Sequence, residues 1–194
     1  MIVGVGRIPQ KLLEELRKLI DDSNIYLYPE FFDDKRCLVN KRYIKYIERL
    51  LEERKRVIVA LWPDYLYDDV YGLCSYSVVW IFPLHSLSEA DRLPHCIDVL
   101  GIPGTASLRD YSLPSFVKLA RELGLDMWWL GANRREIPIA IELGFWGLDV
   151  NTGSTGLPYA RIRDPSFARY FASFLKRVAN NELRARQRVL LEWI

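Results

Sequence analysis

Cysteine and histidine are scarce in this sequence: three cysteines (Cys37, Cys74, Cys96) and two histidines (His85, His95) in 194 residues. No two cysteines form a C-x-x-C pair and their number is odd. That argues against a disulfide framework or a Cys-rich zinc site and leaves room for one chance pair. There is no HExxH motif and no Cys/His ligand spacing, so neither a dedicated metal site nor a cofactor is expected. "GVGRIP" near the start lacks the Gly-Lys-Ser/Thr ending of a phosphate loop, and no G-x-S-x-G elbow occurs. No uncharged apolar run reaches the ~18 residues of a membrane span. The first residues carry no basic-then-apolar leader, so no membrane partner and a cytosolic compartment are expected. Glutamine is limited to Gln10 and Gln187, a bias shared with thermophile proteins. Repeats, low-complexity tracts and linkers are missing, which leaves one domain over residues 1–194.

What is present is an alternation. Half the residues are hydrophobic, enough for a real core, while the formal charge of +2 says nothing about partners. The oligomeric state stays open. "IVGVG" reads as a strand, "PQKLLEELRKLIDD" as a helix, "NIYLYPEFF" as a second strand and "NKRYIKYIERLLEERK" as a helix. "RVIVALWPD", "SVVWIFPLHS" and "CIDVLGIPGT" are apolar runs ending at polar or glycine-rich tips. "SLPSFVKLAREL" is a helix with Ser112 as cap and Gly124 as stop. Strand "DMWWLGAN", helix "RREIPIAIEL" and strand "FWGLDVNTG" follow. Residues 165–194 read as a basic amphipathic helix, with a break at Asn180-Asn181. Apolar strands separated by helices imply parallel strands covered on both faces. A compact or incomplete (β/α) barrel of the TIM type fits best, and a doubly wound open parallel sheet is the runner-up. Either way the ligand belongs at the C-terminal ends of the strands.

The strand tips supply the candidates. Asp64 follows Pro63 and reads either as a turn residue or as an acid–base group. Asp149 ends an apolar strand and precedes "VNTGSTG", either as an Asx-turn or as a nucleophile or base. Asp68 and Asp69 read as a solvated loop or helix cap, with an ion site as the alternative. His85 is an acid, base or substrate contact, or a donor to a backbone carbonyl; His95 sits at the opposite end of its strand. Gly101 and Gly104 make a tight turn or admit a flat ligand. Arg134 and Arg135, after Asn133, are surface residues or phosphate contacts. Trp62 or Trp129 at a tip is placed to stack on a base or sugar, against the commoner core role. Arg184, Arg186 and Arg188 extend the basic tail, which tracks phosphates or simply faces solvent.

The order of these tips resembles the tRNA-guanine transglycosylase superfamily. "VIVALWPDYLYDD" resembles its strand ending in the acid–base aspartate. "IDVLGIPG" is similar to its Gly-Ile-Gly-Gly tip beside the bound base. "WWLGANRREIPIAIELGFWGLD" resembles the segment leading to its nucleophile, with the same spacing from Gly144 to Asp149. The resemblance implies a (β/α) barrel that exchanges a purine or deazapurine base at an N-glycosidic bond in nucleic acid. Asp149 would attack C1′, Asp64 would manage the proton, Asn133 or Asn151 would read a base edge, and Gly101 and Gly104 would admit its face. Nucleic acid and a free nucleobase are the implied partners. The sequence departs from the family at "FPLHS", which replaces a Gln-Gly-Gly tip, at Pro103, which replaces a glycine, and in lacking the zinc module. Two alternatives stand beside it: a metal-assisted sugar-phosphate or phosphoester hydrolase using Asp64, Asp68 and His85, and a non-catalytic binding relative.

Overall fold

The computed structural model describes residues 1–34, 43–157, 164 and 166–183. Eight strand segments form one parallel sheet: β1 (Ile2–Val5), β2 (Ile25–Leu27), β3 (Phe31–Phe32), β4 (Val59–Leu61), β5 (Val79–Pro83), β6 (Ile97–Pro103), β7 (Asp126–Leu130) and β8 (Gly147–Asp149). Their order is β2-β1-β8-β7-β6-β5-β4-β3. The first strand therefore pairs with the last, Gly4 opposite Asp149. A doubly wound sheet reverses its order about a central strand and leaves both edges open. Here the order runs around a ring, and the fold is a (β/α) barrel.

The expected second strand is present but split. Pro29 has no N–H to donate and interrupts the ladder. Ahead of it Ile25–Leu27 pairs with β1; beyond it Phe31–Phe32 pairs with β4. Glu30 joins the pieces, its carbonyl accepting from the backbone N–H of Ile58 and Val59. Two consecutive pieces of one run thus close the ring between β1 and β4, and the barrel has seven strand paths.

Side chains alternate across this wall. Phe31, Val59, Leu61, Ile81, Val99, Trp128 and Leu130 fill the inside. A separate, larger cluster packs the outer face of the barrel against the helices. A seven-strand lumen is narrow, and three inward glycines make room. A Cβ on Gly4 would lie 2.7 Å from the Phe31 ring, one on Gly101 2.9 Å from Ile81 and Leu130, and one on Gly147 2.2 Å from Trp128. Gly101 therefore serves packing, which corrects its expected role as a ligand contact.

The helices are α1 (Gln10–Leu19), α2 (Tyr43–Glu53), α3 (Leu113–Leu123), α4 (Glu136–Glu142) and α5 (Phe167–Ala179). Ser112 caps α3 by accepting from Ser115 N–H, and Gly124 ends it at φ 67°. α5 stops one residue before Asn180, and Asn181 takes a φ of 56°. Phe167, Phe171, Phe174, Leu175 and Val178 bury its inner face. Arg184, Arg186 and Arg188 lie outside the described residues, as do the rest of 184–194, Pro165 and Cys37. No helix among the described residues is long and apolar enough to cross a membrane.

Cys74 and Cys96 form a disulfide across 22 residues, realising the single pair the composition allowed. Closing a loop of this length removes denatured-state entropy worth about 3 kcal/mol. Reduction, or Cys74→Ser, is expected to lower the unfolding free energy by about that amount in denaturant titrations. An unchanged midpoint would show that the bond constrains nothing.

Candidate active site at the barrel mouth

The C-terminal strand ends open into two adjoining cavities. The larger, of about 410 Å³, is lined by Asp64, His85, Gly104, Thr105, Leu130 and Asn151, among others. The smaller, about 200 Å³, is lined by Gly6, Arg7, Asp33, Asp34, Asp149 and Asn151. Asp64 and Asp149 line separate cavities, and Asn151 borders both.

Asp149 is buried, with 5% of its surface exposed. Its strand position points it inward, one step above Gly147. Its Oδ1 accepts from the Trp128 indole Nε1–H at 3.1 Å. That indole stacks on Phe31 with centroids 5.2 Å apart. The carboxylate is thus held by a side chain that is itself wedged in the lumen. Asn151 makes an Asx-turn, its Oδ1 accepting from Gly153 and Ser154 N–H.

Asp64 is half-buried, and its backbone carbonyl accepts from Tyr43 Oη at 2.7 Å. Its Oδ1 lies 3.9 Å from His85 Nε2. Gly104 sits where a Cβ would meet the Leu130 carbonyl at 2.6 Å, so this tip folds against the Gly131 turn through backbone alone.

Other expected contacts are placed elsewhere. Trp62 is fully buried outside the barrel, edge-on to Trp80, and donates to the Leu66 carbonyl. Trp129 packs on Phe145 in the same outer layer. Neither can stack on a ligand. Asn133 caps α4, accepting from Arg135 and Glu136 N–H. Arg134 and Arg135 are exposed beside it. Asp69 caps the 3-10 turn Leu73–Ser75 through Leu73 and Cys74 N–H, and His95 is exposed at its strand start. Among the described residues, no group of three or more His, Cys, Asp or Glu could hold a metal ion.

Sequence reading missed Asp33, Asp34 and Arg7. Asp34 is 1% exposed, and its Oδ2 accepts from both the Arg7 and Arg49 guanidiniums. Burial alone would raise its pKa, but the two guanidiniums outweigh that and hold it below the usual carboxylate range. The signal was legible: "FFDD" is an acidic strand tip like the others. A lowered folded pKa contributes stability that is present above the unfolded value, about 3.9, and is lost as pH falls through the lower folded value. Urea midpoints measured at pH 7, 4 and 3 are expected to fall, and Asp34→Asn should flatten that acid limb. An identical acid limb in the variant would remove Asp34 from the account.

No family model matches the chain. An uncharacterized protein, ORF192 of Acidianus two-tailed virus, is 34% identical over 157 residues, covering 77% of this chain and 78% of that protein. Among solved structures, a native KDPGal structure superposes with a TM-score of 0.57 at 14% identity, over 94% of this chain and 95% of that one. Thiamine phosphate pyrophosphorylase from Pyrococcus furiosus gives 0.54 at 12% identity, over 95% and 96%. The Bacteroides thetaiotaomicron protein of the same name gives 0.52 at 16%, over 93% and 98%. At these identities the likeness is one of fold.

Proposed function

The chain belongs to the same protein family as ORF192 of Acidianus two-tailed virus, and for this member we propose base exchange at an N-glycosidic bond in nucleic acid, with Asp149 as nucleophile and Asp64 as acid–base group. We place it as a distant relative of the transglycosylase superfamily that lacks the zinc module. The observation that carries the reading is the setting of Asp149: a buried carboxylate at a strand tip, oriented by the Trp128 indole, lining a cavity that shares Asn151 with the one lined by Asp64.

The chemistry follows from that pairing. An Asp149 carboxylate oxygen attacks the sugar C1′. The C1′–N bond breaks, its electron pair goes to the departing base, and Asp64 delivers the proton that neutralises it. A glycosyl ester on Asp149 results. The second base loses a proton to Asp64 as its nitrogen closes onto C1′ and releases the carboxylate. Two carboxylates in unlike settings, one enclosed and one half open, suit these unlike roles.

Incubating the protein with single-stranded DNA or RNA and labelled guanine or a deazaguanine tests this. Label is expected to enter the polymer, and a glycosyl adduct to appear on the Asp149 peptide by mass spectrometry. If neither is seen with either polymer, the enzymatic reading is wrong.

A further inference from the structure

His85 is set between two carboxylates. Its Nε2 lies 3.9 Å from Asp64 Oδ1 and its Nδ1 3.8 Å from Glu89 Oε2. The ring stacks on Tyr65, centroids 4.6 Å apart. Nδ1 is enclosed and makes no hydrogen bond among the described residues. Glu89 does not drift: its carboxylate accepts from His85 N–H at 2.6 Å, Ser86 N–H at 3.2 Å and Tyr67 Oη at 2.8 Å. Tyr67 is pushed up to about 12, by burial first and Glu89 second, and so stays a donor. The Arg92 guanidinium sits over the Tyr67 ring, and Asp110 N–H holds the His85 carbonyl. Among the described residues, Asp64, Tyr65 and Glu89 are the ionisable groups that face the imidazole, with Tyr67, Arg92 and Asp110 behind them.

Tyr65 makes the arrangement costly. Its φ of 61° is left-handed, a region that costs a residue with a Cβ about 1–2 kcal/mol. Half its surface is exposed, so burial of the side chain is not what holds it there. What the conformation achieves is a lid over one face of His85.

We propose that Asp64 and His85 act as one proton-holding pair, with Glu89 anchoring the imidazole and Tyr65 clamping it. Both ring nitrogens, at 3.9 and 3.8 Å from their carboxylates, stand just beyond the hydrogen-bond reach of about 3.2 Å, a gap of the kind catalytic groups close when substrate binds. The direction of transfer rests on the base-exchange reading above. With the gap closed, the pair holds one proton shared between Nε2 and Oδ1. As the C1′–N bond breaks, that proton passes to the departing nitrogen, which takes the bonding electrons. The incoming base returns a proton to the pair as its nitrogen bonds C1′ and the Asp149 ester oxygen leaves.

The full chain, without substrate, tests the pair itself. The His85 15N and Asp64 13Cγ NMR signals should change together as pH is varied, and Asp64→Asn should displace the His85 curve. His95, exposed and remote, is the internal control. Independent titration of the two groups, or a His85 curve untouched by Asp64→Asn, overturns the proposal whatever reaction the protein performs. In exchange assays, His85→Ala should lose on the order of 10²–10³-fold in rate and recover part of it with added imidazole, and Glu89→Gln should displace the pH–rate profile. Tyr65→Gly removes the strain, so it should fold at least as stably while shifting that profile; an unmoved profile counts against the clamp. Coupled NMR titration without any base exchange would keep the pair and discard the base-exchange reading.

Discussion

Asp149→Asn is expected to abolish base exchange, by on the order of 10⁴-fold or more, in a protein that folds as the parent does. Asparagine has the same shape, and its Oδ1 can still accept from the Trp128 Nε1–H that holds Asp149. The Trp128 hydrogen bond is therefore kept. What is lost is the anionic oxygen that must bond C1′, because a neutral amide is a poor nucleophile. The decisive comparison is single-turnover exchange alongside thermal melting. A variant with a parental melting temperature, no adduct and no exchange places the nucleophile at this position. A variant that retains a rate within tenfold of the parent places it elsewhere, and the reading of Asp149 would have to be given up.

Gly147→Ala is expected to be among the most destabilising single substitutions in the barrel. The new Cβ would stand 2.2 Å from Trp128 Cζ3 and 2.5 Å from its Cε3. The indole has no room to retreat. Phe31 stacks on it at 5.2 Å, Trp146 tilts against it at 5.7 Å, and its Nε1 is tied to Asp149. Overpacking a filled core costs up to about 3 kcal/mol, which for a chain of this length lowers the melting temperature by roughly 6–12 °C. The same displacement drags the Asp149 anchor, so exchange should fall with stability. Adding Trp128→Phe separates the two effects. The smaller ring relieves the clash and should recover part of the stability, but it lacks the N–H and should not recover exchange. Recovery of both would mean that the indole donor does nothing for Asp149.

Much of the architecture was legible because it is periodic. The helix in "SLPSFVKLAREL" carries its own start and stop in Ser112 and Gly124, and the structure uses both. The strand tips at Asp64, His85, Gly104, Asn151 and Asp149 were identifiable because each apolar run ends in a polar or glycine-rich stretch. "SLSE", residues 86–89, has the spacing of a capping box and would have led to Glu89. Asp33 and Asp34 were passed over although they end a strand in the same manner.

By itself the sequence determined the alternation of strands and helices, the covered parallel sheet this implies, and the end of it where chemistry belongs, while the pairing of β1 with β8 closed that sheet into a barrel. Only the tertiary structure decided which side of the wall each tip residue occupies. In "VALW" every residue is apolar, so nothing in the string says that Val59 and Leu61 face the lumen while Trp62 faces the helices. A strand buried on both faces carries no polar–apolar alternation to set its phase, and a shift of one residue exchanges inside for outside. The same reason hid the role of Gly101, the wedging of Trp128 beneath Asp149, and the meeting of Asp64 with His85. Each depends on the register of strands that are neighbours in space, a property that no single segment contains.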